Sequence, residues 1–414
     1  MQYRAIKYCI CMLSVAALMG MAACGGSSSG GGGPDYGGTI SGTDAVANAD
    51  LQEIATRLDA ILALGYNGYG AESVFKDLAD DDPDNDLFVV DIRDEAAFDA
   101  GHIPGAINIP LQELPLELLN GTAGIPTNVN VVVASDYGND GNFANLVINA
   151  SRIPFPIDTA AYPYWCKSLT HGMNAWSFRS ETQSRFDDDL DIRRVETTVE
   201  LAANASTDQG AFPSISAFAA TIDTTVEKIL VRADDYINSF GNPDDYNSNG
   251  KDLYDNLNDG DTSNDPQIVS VRAASEYAKG HIPGAINIGW KDVAKVDDFT
   301  KFVDPTKPVV VYCYTGHTGS LATAALGILG YDVTNLLYGY NGWSATAAGN
   351  MQNFDATKGW DFPLNPETTS ITDLADYEQP TGCDGCHTSL TAVYVDMWLD
   401  PPAGAVEPPS SGEG

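Results

Sequence analysis

The chain has 414 residues, 43% of them hydrophobic, and carries 57 acidic against 21 basic side chains for a formal charge of −36. That length supports two domains of ordinary size, each with its own core. The acidic balance repels phosphate backbones, which excludes nucleic acid as a partner, and runs such as Asp80-Asp81-Asp82 and Asp187-Asp188-Asp189 read as solvated loops.

The amino terminus reads as a targeting signal. Arg4 and Lys7 precede an apolar run from Ile10 to Met21, which has signal-peptide length and is short for a membrane span. The run ends at Met21-Ala22-Ala23-Cys24-Gly25. Small residues before a cysteine resemble a lipoprotein cleavage box, in which residues 1–23 are removed and Cys24 becomes the lipidated first residue. The alternative is an ordinary signal peptide cut nearby. Residues 25–33 are only Gly and Ser, which suits a flexible tether over 24–43 that holds a folded body off a membrane. Gly25 does not resemble the aspartate signal for inner-membrane retention. The expected location is therefore the outer membrane of a Gram-negative bacterium, on its periplasmic or cell-surface side, with the lipid as the membrane contact.

Two similar units follow, over 44–180 and 213–350. In the first, Phe88-Val89-Val90-Asp91-Ile92-Arg93 reads as a buried strand running into a polar turn. Gly101-His102-Ile103-Pro104-Gly105-Ala106-Ile107-Asn108-Ile109 comes next, then a strand at Val131-Val132-Val133, a Gly-containing loop and a helical stretch. Gly172-Met173-Asn174-Ala175-Trp176 closes the unit. Residues 181–212 read as a connector, and 241–266 as an Asp/Asn/Gly-rich acidic loop inserted before the next core strand. Asp245, Asn247, Asn249 and Gly250 fall at the early spacing of a calcium loop, but Asn256 stands where that loop needs its bidentate acid, so calcium is the lesser reading.

The second unit repeats the plan. Gln267-Ile268-Val269-Ser270-Val271-Arg272 matches the first strand, the nine residues Gly280–Ile288 are identical to Gly101–Ile109, and Val309-Val310-Val311 and Gly339-Tyr340-Asn341-Gly342-Trp343 recur in order. Apolar strands alternating with helical patterns imply an α/β fold with mainly parallel sheets flanked by helices. The strand ending in Asp91 and Arg93, the doubled GHIPGAINI segment and the strand–cysteine–loop–helix unit at Cys313 together resemble the rhodanese family, over about two thirds of the chain. The resemblance implies two rhodanese-like domains in tandem, the first supporting the second.

Aligned without gaps, Ser135-Asp136-Tyr137-Gly138-Asn139-Asp140-Gly141 stands against Cys313-Tyr314-Thr315-Gly316-His317-Thr318-Gly319. Serine cannot carry sulfur as a persulfide, so the first domain is expected to be inactive. In the second, Cys313 is the expected nucleophile and residues 314–319 the substrate-binding loop. Loop N–H groups and a helix start there would favour the thiolate. The resemblance implies double displacement between a sulfur donor and a thiol or other acceptor, through a Cys313 persulfide. Many rhodanese loops carry an arginine where this one has Thr318, and Ser270 replaces the aspartate of the family's Asp-x-Arg strand. His317 is the one loop side chain that could be cationic, and the expected donor is neutral or weakly charged. The alternative is that Cys313 is only a small buried residue at a helix start. His102 and His281 occur in both units and read as structural, Trp176 and Trp343 as core, and Cys166 as a buried thiol.

The tail, 351–414, contains Cys383-Asp384-Gly385-Cys386-His387. This C-x-x-C-H spacing resembles the attachment motif of c-type cytochromes, which implies haem c bound through Cys383 and Cys386, with His387 on the iron and Met397 as the nearest sixth ligand. A disulfide or a partial zinc site is the alternative, and Met397 could equally be an apolar contact. Two functions follow. One is an exported sulfurtransferase coupled to a haem. The other is a non-catalytic subunit of an outer-membrane electron-transfer complex with a cytochrome partner.

Overall fold

The computed structural model describes residues 49–65, 68–80, 82–176, 212–213, 215, 217–295, 299 and 302–343. Cys24 and the tether, the connector up to residue 211, and Cys383, Cys386, His387 and Met397 lie outside them. No helix among the described residues is long and apolar enough to cross a membrane.

The first unit runs α1 (Ala49–Leu64), β1 (Gly68–Tyr69), α2 (Ala71–Leu78), β2 (Phe88–Asp91), α3 (Glu95–Ala100), β3 (Ile107–Asn108), α4 (Leu114–Leu119), β4 (Val131–Ala134), α5 (Asn139–Arg152), β5 (Cys166–Leu169) and α6 (Gly172–Trp176). Its five strands are all parallel, in the order β1-β5-β4-β2-β3. The second unit runs α7 (Thr225–Ile237), a 3-10 turn at Pro243–Tyr246, β6 (Asn247–Ser248), α8 (Gly250–Asn256), β7 (Gln267–Ser270), α9 (Ala274–Tyr277), β8 (Ile286–Asn287), β9 (Val309–Tyr312), α10 (His317–Ile328), β10 (Val333–Leu336) and α11 (Gly339–Trp343). Its order, β6-β10-β9-β7-β8, is the same and again all parallel. The expected pair of parallel α/β domains is what the chain forms.

The valine runs explain the sheet centres. All four residues of β4 and of β9 are buried, because helices cover both faces and a strand in that position cannot alternate with polar residues. In α1, Leu51, Ile54, Leu58, Ile61 and Leu62 recur every three or four residues and form one buried stripe. α7 starts at a reciprocal cap: Thr224 Oγ1 accepts the Glu227 N–H at 3.1 Å, and Glu227 Oε2 accepts the Thr224 N–H at 2.8 Å. The inner faces of both sheets, with α1, α5, α7 and α10, close around one continuous apolar core. Each outer face has a smaller core of its own, centred on Trp176 and Trp343.

The segment 241–266 departs from the expected acidic loop. It supplies the edge strand β6, which pairs with β10, and the helix α8. Buried Tyr246 and Leu253 anchor it, and a two-residue strand leaves too short a pattern to read beforehand. Two of the residues at calcium-loop spacing are hydrogen-bonded within the fold: Asn247 bonds Asp140 and Asn335, and Asn249 Oδ1 caps α8 by accepting the Lys251 N–H at 2.7 Å.

The two copies differ where a strand-paired exchange has occurred. Asp91 sits opposite Ala134, while its counterpart Ser270 sits opposite Tyr312. In the first domain the Arg93 guanidinium forks onto Asp91 at 2.7 and 3.0 Å and donates to the Gly101 carbonyl at 2.7 Å, all buried. In the second, Arg272 keeps the equivalent bond to the Gly280 carbonyl, at 2.6 Å, and reaches Ser270 Oγ at 3.3 Å. Its charge lies instead against three tyrosines, 4.0 Å from the ring centre of Tyr340 and 5.4 Å from those of Tyr312 and Tyr314.

Removing the carboxylate of a buried pair leaves the other charge stranded. Asp91→Ala is expected to destabilise the protein by about 3–5 kcal/mol. Ser270→Ala, which loses one long bond, should cost less than about 1.5 kcal/mol. Urea unfolding midpoints of the two variants check the contrast.

Candidate active site

Strand β9 ends at Tyr312 and α10 begins at His317; the turn between them carries Cys313. Gly316 takes the left-handed conformation, φ 86° and ψ −9°, which folds the chain back so that its own N–H donates to Cys313 Sγ at 3.2 Å. A thiol in that position faces the Gly316 N–H and the start of a helix, which suits a sulfur that must carry negative charge. Cys313 is 3% exposed. The far side of the loop is tied to α11, where the N–H groups of Tyr340 and Asn341 donate to the carbonyls of Cys313 and Tyr314 at 2.8 and 3.0 Å.

The first domain builds the same cradle around an alcohol. Gly138 is left-handed, φ 83° and ψ −13°, and the N–H groups of Gly138 and Gly141 donate to Ser135 Oγ at 3.0 and 3.3 Å. The N–H groups of Met173 and Asn174 hold the Ser135 and Asp136 carbonyls as α11 holds the other loop. The geometry is shared; the atom that could accept sulfur is not.

The two loops meet face to face. A Cβ on Gly138 would lie 2.9 Å from His317 Nε2, and one on Gly316 would lie 2.5 Å from Asn139 Nδ2. The His171 N–H donates to His317 Nε2 at 3.1 Å, and the two imidazoles pack edge to face with centres 4.7 Å apart. Ser320 Oγ donates to the Asn139 carbonyl at 2.6 Å, and Tyr137 packs edge-on against Tyr338. His171 and Tyr338 hold equivalent places, both with positive φ (61° and 59°), each reaching across to the other domain. This junction was not legible in the sequence; the one sign of it is that each stands before the glycine that opens a closing element.

The expected loop residues are brought together around Cys313, but they divide into two groups. Thr315 and His317 point inward and are buried, whereas Tyr314 and Thr318 are half-buried at the surface. Because His317 Nε2 accepts an N–H, its proton is on Nδ1 and donates to Thr315 Oγ1 at 2.9 Å. Burial pushes His317 down to about 4, so the one loop side chain that could be cationic is neutral and serves the domain junction. The Tyr314 phenol is bonded to the carboxylate of Glu276, and burial followed by that carboxylate raises its pKa. His102 and His281 are structural as expected: their Nδ1 atoms bond the carbonyls of Phe98 and Tyr277 at 2.7 and 3.0 Å, and the rings stack on the same residues. Cys166 lies inside the core, its thiol pushed up to about 12 by burial.

A family model described as the rhodanese-like domain matches the chain twice, over residues 72–178 and 249–346. A Haloferax volcanii protein provisionally named a thiosulfate sulfurtransferase is 26% identical over 320 residues, 70% of this chain and 94% of that one. The thiosulfate sulfurtransferase GlpE of Pseudomonas fluorescens is 35% identical over 91 residues, 20% of this chain and 81% of its own. Among solved structures, a thiosulfate sulfurtransferase from Pseudomonas aeruginosa aligns at 16% identity over 74% of this chain and 49% of its own length, with a TM-score of 0.26.

The histidine junction makes stability depend on pH. The folded His317 takes a proton only near 4, whereas the unfolded one takes it near 6.5. Burial, then the neighbouring His317, also lowers His171 well below its ordinary value. The stabilisation is complete above about pH 6.5 and declines as pH falls toward 4, by roughly 3 kcal/mol from His317. Melting temperature should fall between pH 7 and 5, and His317→Gln should flatten that slope.

Proposed function

The chain belongs to the rhodanese family, and on that premise we propose that it is an exported sulfurtransferase that carries sulfane sulfur on Cys313. The observation behind this is the cradle at Cys313: a buried thiol accepting the Gly316 N–H at a helix start, in a domain whose twin holds an alcohol in the same geometry. The relatives whose printed names specify thiosulfate sulfurtransferases point to the same reaction class.

The reaction has two displacements. The Cys313 thiolate attacks the outer sulfur of a donor; the donor's S–S bond breaks, its remaining fragment leaves with the electron pair, and a Cys313 persulfide forms. An acceptor thiolate then attacks the outer sulfur of that persulfide, and Cys313 returns as thiolate. No net oxidation occurs. The loop N–H groups stabilise the charge on sulfur at each stage, and the first domain holds the loop in shape through His171 and Asn139.

Export and anchoring complete the proposal. The apolar segment before Cys24 supports removal of residues 1–23 and lipidation of Cys24, with the body held at the outer membrane. Cys383, Cys386 and His387 have the donor chemistry of a c-type haem: two thiols for thioether bonds and an imidazole for the iron. Such a group would supply one-electron chemistry, and its occupancy separates a haem-coupled enzyme from an enzyme alone.

Cys313→Ser should lower sulfur transfer by more than about 10³-fold with the far-ultraviolet circular dichroism unchanged. An unchanged cellular phenotype of Cys313→Ser with assembly intact would instead assign the rhodanese domains to docking within an electron-transfer complex. The chain produced with its own amino terminus in a host that matures c-type cytochromes should show a reduced α-band that survives acid-acetone extraction. The Cys383→Ala/Cys386→Ala variant should lack it.

A further inference from the structure

The side chains around Cys313 also bear on which donors can reach it, an inference that rests on the proposed transfer through Cys313. Of the seven residues from Cys313 to Gly319, two are glycines, and Cys313, Thr315 and His317 are buried. The loop therefore presents outward only a phenol, Tyr314, and a small alcohol, Thr318, both half-buried. His317, the loop's one titratable base, is locked between Thr315 Oγ1 and the His171 N–H. Beside the phenol lies Glu276, bonded to it, with a carboxylate 19% exposed and paired with Lys279. The nearby Arg272 is 2% exposed, beneath the rings of Tyr312, Tyr314 and Tyr340, and bonded to Ser270 and Gly280. Around this site the whole chain carries a charge of −36.

Thiosulfate is a dianion at neutral pH. To deliver its outer sulfur to a thiol 3% exposed, it must shed water. A doubly charged group loses far more by desolvation than backbone N–H groups return, unless a cation meets it. The loop supplies none. A protonated organic persulfide, R–S–SH, enters as a neutral species, and its sulfur pair lies comfortably against a phenol face. We propose that the donor for Cys313 is a neutral organic persulfide, that thiosulfate is a poor donor, and that Thr318 is the position where this preference is set. The loading step is balanced: Cys313–S⁻ plus R–S–SH gives Cys313–S–SH plus R–S⁻, the S–S bond of the donor breaking as the new one forms.

The test compares kcat/KM for 2-hydroxyethyl persulfide and for thiosulfate with cyanide as acceptor, and follows one-sulfur loading of Cys313 by intact mass. The wild-type chain should prefer the persulfide by at least about 100-fold. Thr318→Arg, which places a guanidinium at the half-buried loop position, should raise kcat/KM for thiosulfate at least about tenfold, less so at high ionic strength, and leave the persulfide rate little changed. Comparable wild-type rates with the two donors would overturn the donor assignment while leaving the Cys313 chemistry intact, whatever the variant does. A folded Thr318→Arg protein with no gain on thiosulfate would overturn the role of Thr318. Loading from neither donor would overturn the donor assignment together with the transfer reaction itself.

Discussion

The close approach of two glycines to the opposite domain governs this molecule. Neither Gly138 nor Gly316 has room for a Cβ: at Gly138 the backbone of Leu169 and His171 and then His317 Nε2 take that space, and at Gly316 Asn139 Nδ2 does. Each glycine is also left-handed, which turns its own loop so that an N–H faces the side chain at position 135 or 313. One residue type thus meets two demands in each loop, closing the cradle and admitting the neighbouring domain. Helices α5 and α10 begin at these glycines, so the packing of the shared core and the shape of the cradles are one arrangement.

This arrangement accounts for a domain that keeps the cradle and lacks the thiol. The first domain has a structural reason to retain the loop, because Gly138, Asn139 and His171 are the surface against which the Cys313 loop is formed. In its own centre Ser135 fills the cradle with an alcohol that accepts from the Gly138 and Gly141 N–H groups. Asp140 shows the same shift of role: it bonds Asn247 of the second domain and so contributes to the junction. The second domain differs elsewhere. Where the first domain pairs Asp91 with Ala134, the second pairs Ser270 with Tyr312, and aromatic faces rather than a carboxylate surround the arginine, beside the strand that leads into Cys313.

Much of the fold was legible because the repeat states it twice. Valine runs bounded by turn residues mark the central strands, and the identical GHIPGAINI segments carry β3 and β8 with the histidines stacked on Phe98 and Tyr277. The edge strand β6 was not legible: two residues cannot show a period, and the acidic stretch around them resembles any solvated loop. The position of Cys313 at a strand end followed from its neighbours, since a run of buried β residues followed by glycine leaves few other places for the turn. The orientation of His317 did not, because a histidine in a loop gives no sign whether it faces solvent or a second domain.

The sequence by itself determined the tandem α/β architecture, the strand-to-helix loop that carries Cys313, and the loss of the thiol at Ser135. Each of these depends on local periodicity or on a single side chain's chemistry. Only the tertiary structure decided which loop side chains remain for a substrate. His317 is withdrawn by its bond to His171, more than a hundred positions away, and holds Thr315 inward with it, while Tyr314 and Thr318 stay half-buried. Burial against that surface removes the charge of His317. Charge at the site is thus a property of the packed pair of domains, because desolvation acts on a side chain only once its neighbours have closed around it.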